Sequence, residues 1–410
     1  MMTFDELKQA FSDAVFPARW ETLPPCEEKD VAFLSEEALC RFHEAYPVFG
    51  TGFAHILAAA RVIRENAALL TCTAYLARAI GEWDVIQEDI AAMTLPAFKE
   101  GEGAIGYGLM PLVACVPHIA AAVESLLARG VEKRIIYDTL AYFERAVDTA
   151  MKKDVPSFPK SQFSWCQHYL HGIILRIGRL EFHWIDDMYG GNFGVYRSSD
   201  GQYRLLAERG SYHKDGHLVT DGAPALADDF PSAFTETDTY YEGNMIGEAG
   251  LVLPELVRLA KDKWQRVAGY ESPVVTVHIP SGPGLTHENI DAAFRDALAV
   301  HKRAFSDFKA CLFHCHSWLL DTQHRAYLAP DANILKFQGK FIHGTTNTCD
   351  RCVFSFLFPG GSKENLAALA EDSSMQRIVK RLLLAGGHIY EQNGVIPFEW
   401  VEGGRFSAGL

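Results

Sequence analysis

Through the first part of the chain, apolar residues recur every third or fourth position. That spacing marks helices which bury one face. In the segment 54–79, Leu57, Ala60, Ile63, Leu70, Ala74 and Ala77 keep it and predict a long helix. Residues 109–129 and 131–151 repeat the pattern, and Arg129-Gly130 between them reads as a helix stop followed by a new start. Shorter helices are expected near 4–15 and 36–46, and Gly101, Gly103 and Gly106 interrupt the pattern before the third long helix. These segments predict an N-terminal bundle of about five or six helices.

The pattern changes after Lys160. Runs with strand character cover 173–185, 202–208, 272–280, 310–320, 334–344 and 352–358. Turn signals stand at Gly190-Gly191, Ser199-Asp200-Gly201, Asp215-Gly216 and Asp221-Gly222. Helical stretches are expected at 254–268, 286–308 and 374–387. The order predicts an α+β chain, with a helical N-terminal domain over 1–165 and a mixed α/β domain over 166–410.

Composition narrows the function classes. Of 410 residues, 48% are hydrophobic and 22% charged, which sets aside collagens, coiled coils and disordered tails. A net charge of −14 argues against nucleic acid and anionic membrane surfaces as partners. No run approaching ~18 uninterrupted apolar residues suggests a membrane span. The opening MMTFDELKQAFSDAVF is amphipathic and acidic, so no signal peptide is expected and the cytoplasm is the expected compartment. Nine scattered cysteines, an odd number, fit reduced thiols better than a disulfide framework.

The segment 274–308 is the most informative. A β-branched strand ends at Val277-His278-Ile279, and a loop of Pro280, Ser281, Gly282, Pro283 and Gly284 follows. Thr286 then stands where a helix N-cap belongs, with Glu288 in the first turn. A strand, glycine loop and helix in this order suit an anion, because amides point outward at the positive end of the helix dipole. A diphosphate is the natural guest. Neither G-x-x-x-x-G-K-[ST] nor G-x-G-x-x-G is matched, so ATP and NAD gain no specific support. A well-capped tight turn would produce the same pattern.

The strand at 310–320 ends in Cys315-His316-Ser317-Trp318. His316 and Ser317 are candidates for proton transfer at the carboxyl end of a strand, with core filling by Cys315 and Trp318 and capping by Ser317 as the structural alternative. Cys311, His314, Cys315, His316, His343, Cys349 and Cys352 raise the question of zinc. The apolar settings of Cys311 and Cys352 argue against it, and no metal is expected. A thioredoxin-like role for Cys349-Asp350-Arg351-Cys352 is not expected either, because the pattern shows no strand leading in and no helix following. No G-x-S-x-G occurs. His213-Lys214-Asp215-Gly216-His217 reads as a hairpin turn. Arg176, Arg179 and Glu181 read as a half-solvated strand face, on which Glu181 is a candidate base.

Several blocks taken together carry a resemblance. They are Ile177-Gly178-Arg179-Leu180-Glu181-Phe182, Val277-His278-Ile279-Pro280-Ser281-Gly282 with Leu285-Thr286, and Cys315-His316-Ser317-Trp318-Leu319-Leu320-Asp321. Asn333-Ile334 with Phe337 and Phe341, and Met375-Gln376-Arg377, complete the series. In this order the chain resembles, over about residues 165–398, the two-domain bacterial acyltransferases with a helical N-acyltransferase N-terminal domain and a GNAT-like C-terminal domain.

The resemblance implies a GNAT-like C-terminal half with a central, partly splayed sheet, acyl-CoA as co-substrate, and a small-molecule or peptide amine as acceptor. The usual pyrophosphate signature R/Q-x-x-G-x-G/A is absent as such. Pro283 lacks an amide N–H, and no basic residue precedes Gly284 at the expected distance. On this reading the amides of Ser281, Gly282 and Gly284, with the helix starting at Thr286, hold the pyrophosphate, and His278 and Ile279 border the pantetheine. Glu181 or His278 acts as base, and Ser317, His316 or Tyr327 returns a proton to the departing thiolate. The helical half covers the acceptor side or forms a homodimer. A non-catalytic GNAT-like ligand- or partner-binding protein is the alternative, and a zinc-dependent hydrolase is the third reading.

Overall fold

A computed structural model describes residues 1–96, 101, 103–220 and 226–405, with the side chain of Arg351 left aside. The Asp221-Gly222 turn signal lies outside the described residues. The chain divides into two units, Met1–Ile177 and Gly178–Leu410. The division falls later than the 165/166 boundary read from composition, because one more helix and a short strand belong to the first unit.

The first unit contains α1 (Phe4–Ala10), α2 (Glu36–Ala45), α3 (Phe53–Glu65), α4 (Ala67–Ile80), α5 (Trp83–Ala92), α6 (Ala104–Ala128), α7 (Lys133–Leu140), α8 (Tyr142–Met151), α9 (Lys160–Leu170) and β1 (Ile174–Ile177). The helix expected over 54–79 is two helices. Asn66 takes an extended conformation and its side chain accepts from the amides of Ala68 and Leu69, so it caps α4. A break at Ala141 likewise divides 131–151 into α7 and α8. Gly130 takes φ +83 just after α6, the left-handed stop that the sequence suggested.

α6 packs against α3, α4 and α9. Contrary to expectation, it is long and apolar enough to cross a membrane, with a mean hydropathy of 1.6, and 67% of that stretch is buried inside the protein. Up to Val123 its interruptions are prolines, glycines, a tyrosine and a histidine rather than charges, so an unbroken apolar run was the wrong test. The bundle also encloses a carboxylate. Asp89, 1% exposed, accepts from Trp20 Nε1 at 2.7 Å and from the Arg19 guanidinium, so its burial is fully compensated.

The second unit continues with β2 (Leu180–Ile185), β3 (Phe193–Ser198), β4 (Tyr203–Ala207), β5 (Ser211–Tyr212), β6 (Phe230–Pro231), β7 (Thr235–Glu236), β8 (Tyr240–Ile246), β9 (Val252–Ala260), β10 (Trp264–Ala268) and β11 (Val274–His278). After these come α10 (His287–Ala304), β12 (Leu312–Ser317), α11 (Asn333–Gln338), β13 (Ile342–Thr348), α12 (Asp350–Phe356), α13 (Ser374–Leu384), β14 (Tyr390–Pro397) and α14 (Phe398–Glu402). The main sheet of this unit runs β2-β11-β12-β14-β13, and a second sheet runs β10-β3-β4-β8-β7 with β9 also on β8.

Four local expectations change. Residues 254–268 are the hairpin β9–β10 rather than a helix, because β9 finds a ladder on β8 and β10 on β3. Of residues 352–358, all but the last two belong to a helix, α12, in which Val353 is buried while Phe356 is 73% exposed. Residues 334–344 split into α11 and the start of β13, with Gly339 between them. Arg179 lies in the turn between β1 and β2 rather than on a strand face.

The cysteine reading changes as well. Cys349 and Cys352 form a disulfide, whereas the other seven cysteines are free. A strand, β13, does lead into this pair and a helix, α12, does follow it.

Alternation along the strands gives the main sheet two unlike faces. On one, Phe182, Val275, Val277 and Phe313 meet α10, where Phe294 sits edge-on to Phe182 at 5.5 Å and to Phe313 at 5.0 Å. Trp184 stacks on Phe305 at 4.1 Å and donates to His301 Nδ1. On the other face, Val274, Leu312 and Val395 pack with Phe193, Val195 and Leu205 of the second sheet. Further along that same face the residues become polar.

Candidate active site

β11 and β12 are parallel neighbours, yet their register holds only Val275↔Phe313 and Thr276↔His314. β11 stays paired with β2 as far as His278↔Glu181, and β12 with β14 as far as Ser317↔Gln392. The ladder between the two central strands therefore stops while each keeps its outer neighbour. A wedge opens at their carboxyl ends, where parallel sheets collect ligands.

The loop after β11 follows the wedge. Ser281, Gly282 and Pro283 are exposed. Gly282 has φ +124, and a Cβ there would meet nothing within 4 Å; Gly284 has φ +87. Arg179 reaches across from the turn before β2, donating Nε to Pro283 O at 3.0 Å and Nη2 to Gly282 O at 2.9 Å. A trans peptide points its C=O and the following N–H in opposite directions, so the amide of Gly284 faces away from Arg179. Arg179 also brings the positive charge that the chain before Gly284 does not supply.

Thr286 caps α10 through Asn289 N, and Asn289 Nδ2 returns to Gly284 O at 3.0 Å. The first turns of α10 are anchored by Asp291, which pairs with His287 at 3.3 Å and with the Lys340 ammonium. The Lys340 and Asp291 side chains are 2% and 6% exposed, and burial lowers the Lys340 pKa.

The polar part of the sheet face carries Glu181 and His183 from β2, Thr276 and His278 from β11, His314 and His316 from β12, and Asn393, which registers opposite His316. His183 Nδ1 and His278 Nε2 lie 3.2 Å apart, so one proton is shared between the two rings. Glu181, 6% exposed, registers opposite His278.

His314 is fully buried. Asn393 Nδ2 donates to Gly190 O, so Asn393 Oδ1 accepts from His314 Nε2 at 2.8 Å, and His314 Nδ1 accepts from the Thr276 hydroxyl at 3.2 Å. Desolvation, with smaller contributions from His316 and His278, pushes its pKa down from 6.5 to about 3, so it stays neutral. His316 places Nε2 3.2 Å from Asn347 Oδ1, and Tyr189 stands edge-on to its ring at 5.7 Å.

The fold thus gathers Glu181, His278 and His316 on one face beside the wedge, and sets Ile279, Ser281, Gly282, Gly284 and Thr286 in sequence along its rim. Ser317 alternates to the opposite face of β12, where its hydroxyl accepts from Leu319 N and caps a short turn. Tyr327 is 49% exposed at the end of the turn over Thr322–Ala326, with its amide on His324 O. Neither joins the histidine cluster.

His183, Thr276 and Asn393 escaped sequence reasoning, while His314 was weighed there only as a zinc ligand and Arg179 only as a strand-face residue. His183 was within reach, since period two from Glu181 along β2 lands on it. Cys315 shares the Ser317 face, away from His314 and His316. Among the described residues, only Cys349, Cys352 and Glu391 group closely enough to hold a metal ion, and there the two sulfurs are bonded to each other.

Parallel strands that part just before a glycine loop and a capped helix define the GNAT-like class of domain. A family model for the GNAT-like C-terminal domain matches residues 174–396, more than half of the chain, and the protein belongs to that family. No curated protein matches the sequence. Among solved structures, an acyltransferase in complex with decanoyl-CoA and teicoplanin is similar, with a TM-score of 0.61 at 16% identity, over 97% of this chain and 100% of that one. An acyltransferase with CoA and 10C-teicoplanin gives a TM-score of 0.59 at 17% identity, over 97% and 100%. An acyltransferase with decanoyl-CoA gives 0.58 at 17%, over 97% and 99%. At these identities the likeness is one of fold.

Proposed function

We propose that the protein is an acyl-CoA-dependent N-acyltransferase. The observation that carries this reading is the wedge between β11 and β12 opening directly onto an exposed, amide-bearing loop at a helix N-terminus. The acyl-CoA and CoA held by the similar acyltransferases support it.

The amides of Ser281, Gly282 and Gly284 and the N-terminus of α10 hold the pyrophosphate, while Arg179 fixes the loop from its carbonyl side and adds a nearby positive charge. The wedge-facing edge of β11 takes the pantetheine amides as an extra strand would. His278 accepts the proton of the attacking amine and shares it with His183, while Glu181 opposite steadies the cation formed. The amine nitrogen bonds to the thioester carbon, the C–S bond breaks, and His316 on the other lip supplies a proton to the departing sulfur. Holding the two reactants together provides much of the rate, which suits a site without a nucleophile.

The acceptor is an amine. Teicoplanin in two of the similar structures makes glycopeptides a class to test, and decanoyl-CoA makes medium chains the first donors to try. The non-catalytic reading has in its favour the amide missing at Pro283. Acyl-CoAs from acetyl to decanoyl are incubated with a panel of primary amines that includes teicoplanin, and acylated product is read by mass spectrometry. Product from the wild type, and far less from His278→Ala, is expected. CoA binding without product from any pair would favour the binder.

A further inference from the structure

Cys349 and Cys352 form the sole C-x-x-C in the sequence. β13 runs directly into Cys349, and Cys352 lies in the first turn of α12. Both ends of the segment are fixed independently of the sulfurs. Cys349 N donates to Ile389 O at 2.7 Å, and Thr348 registers opposite Tyr390. The Asp350 carboxylate accepts from Ile389 N at 2.9 Å and from Lys363 Nζ at 2.9 Å, with His388 Nδ1 at 3.0 Å. Beyond it, Val353 is held in an apolar cluster with Phe358, Leu369, Val379, Leu383 and Ile389.

The sulfurs therefore stay neighbours whether or not they are bonded. The bond closes a very short loop, so it removes little entropy from the unfolded chain and is a weak staple. Glu391, on the adjoining strand, places a carboxylate oxygen within 4.8 Å of both sulfurs.

We propose that Cys349 and Cys352 are a reversible dithiol–disulfide couple, reduced by an external dithiol, with Glu391 as the group that carries the proton. The incoming thiol gives its proton to the Glu391 carboxylate, and its sulfur bonds to Sγ of Cys352, the more exposed of the two residues at 8% against 5%. The Cys349–Cys352 bond breaks, and the Cys349 thiolate takes the proton from Glu391. The second thiol of the reductant then displaces Cys352 from the mixed disulfide, its proton passing to the Cys352 thiolate, and the reductant leaves as a cyclic disulfide. Two electrons and two protons pass from the dithiol to the protein. This chemistry stands independently of acyl transfer. It does reach the candidate site, because Asn347, two residues before Cys349, holds His316.

Arg351 makes the test direct. Trypsin cuts after Lys340, Arg351 and Lys363, so a non-reducing digest of the oxidised protein yields peptides 341–351 and 352–363 joined by the disulfide. The intact protein is first equilibrated in graded mixtures of reduced and oxidised dithiothreitol, blocked with iodoacetamide and then digested. The expected result is a passage from joined to separate alkylated peptides along one two-electron curve, with an unchanged circular dichroism spectrum. Glu391→Gln should slow the approach by about tenfold and leave the midpoint in place. Joined peptides that persist in excess dithiothreitol, separate peptides at every mixture, or one tightly held zinc per chain would each overturn the couple. An unchanged rate in Glu391→Gln would overturn the proton role.

Discussion

The main sheet of the second unit has two faces built from the same strands, and they obey different rules. Toward α10, Phe182, Val277 and Phe313 close on Phe294, and the energy lies in packed apolar area. On the reverse, Glu181, His183, Thr276, His278, His314 and His316 succeed one another across three strands. Here stability depends on each buried polar group finding a partner. The comparison teaches that one face holds the strands in place, so that the other can carry histidines and part at its end.

The largest effect falls on the packed face. Phe294→Ala should cost about 3–5 kcal/mol in urea unfolding, because no exposed position lets the surrounding rings collapse into the cavity. Next is the anchor of α10. Asp291→Ala leaves Lys340 buried without its carboxylate and should cost about 3 kcal/mol, while Asp291→Leu combined with Lys340→Met should recover most of it. A double variant as unstable as the single one would refute the pairing.

The reverse face should respond in rate instead. His278→Ala is expected to lower kcat by roughly 10²–10⁴-fold with little change in unfolding temperature. A smaller loss, about tenfold, is expected for His183→Ala, with an altered pH profile if it shares the proton.

Two buried histidines, His314 on this face and His343 opposite Gly394 on the other, predict an acid limb in stability. Burial holds His314 at about 3 and His343 at about 4, against the usual 6.5. Below about pH 6.5 the unfolded chain takes up protons that the folded one refuses, so stability is full above that pH and falls as pH drops toward 3. Differential scanning calorimetry between pH 7 and pH 4 should show the unfolding temperature falling, and a flat profile would contradict the neutral assignment.

Legibility followed the range of the interaction. The unit at 274–308 was readable because its signals are local: a β-branched run, a Gly-Pro loop and Thr286 as cap produce β11 and α10 nearly where expected. The wedge followed from resemblance rather than from pattern. The histidine face was not readable, because His183 meets His278 only through the register of β2 on β11, and Asn347 meets His316 only through β13 on β14. Arg179 was hidden by a hairpin that reads in the sequence as one strand-like run over 173–185. Short apolar runs misled in both directions. Residues 352–358 looked extended yet coil into α12, and 254–268 showed helical spacing yet pair with β8 and β3.

The central claim is that the bend after β11 offers its amides to a diphosphate. Gly282 and Gly284 both have positive φ, and the space beside Gly282 is open. Isothermal titration of CoA into the wild type and into the Gly282→Val, Gly284→Val double variant tests this directly. The expectation is measurable binding to the wild type and at least a tenfold weaker affinity, about 1.4 kcal/mol, in a variant that keeps its fold. Equal affinity in the two proteins would contradict it.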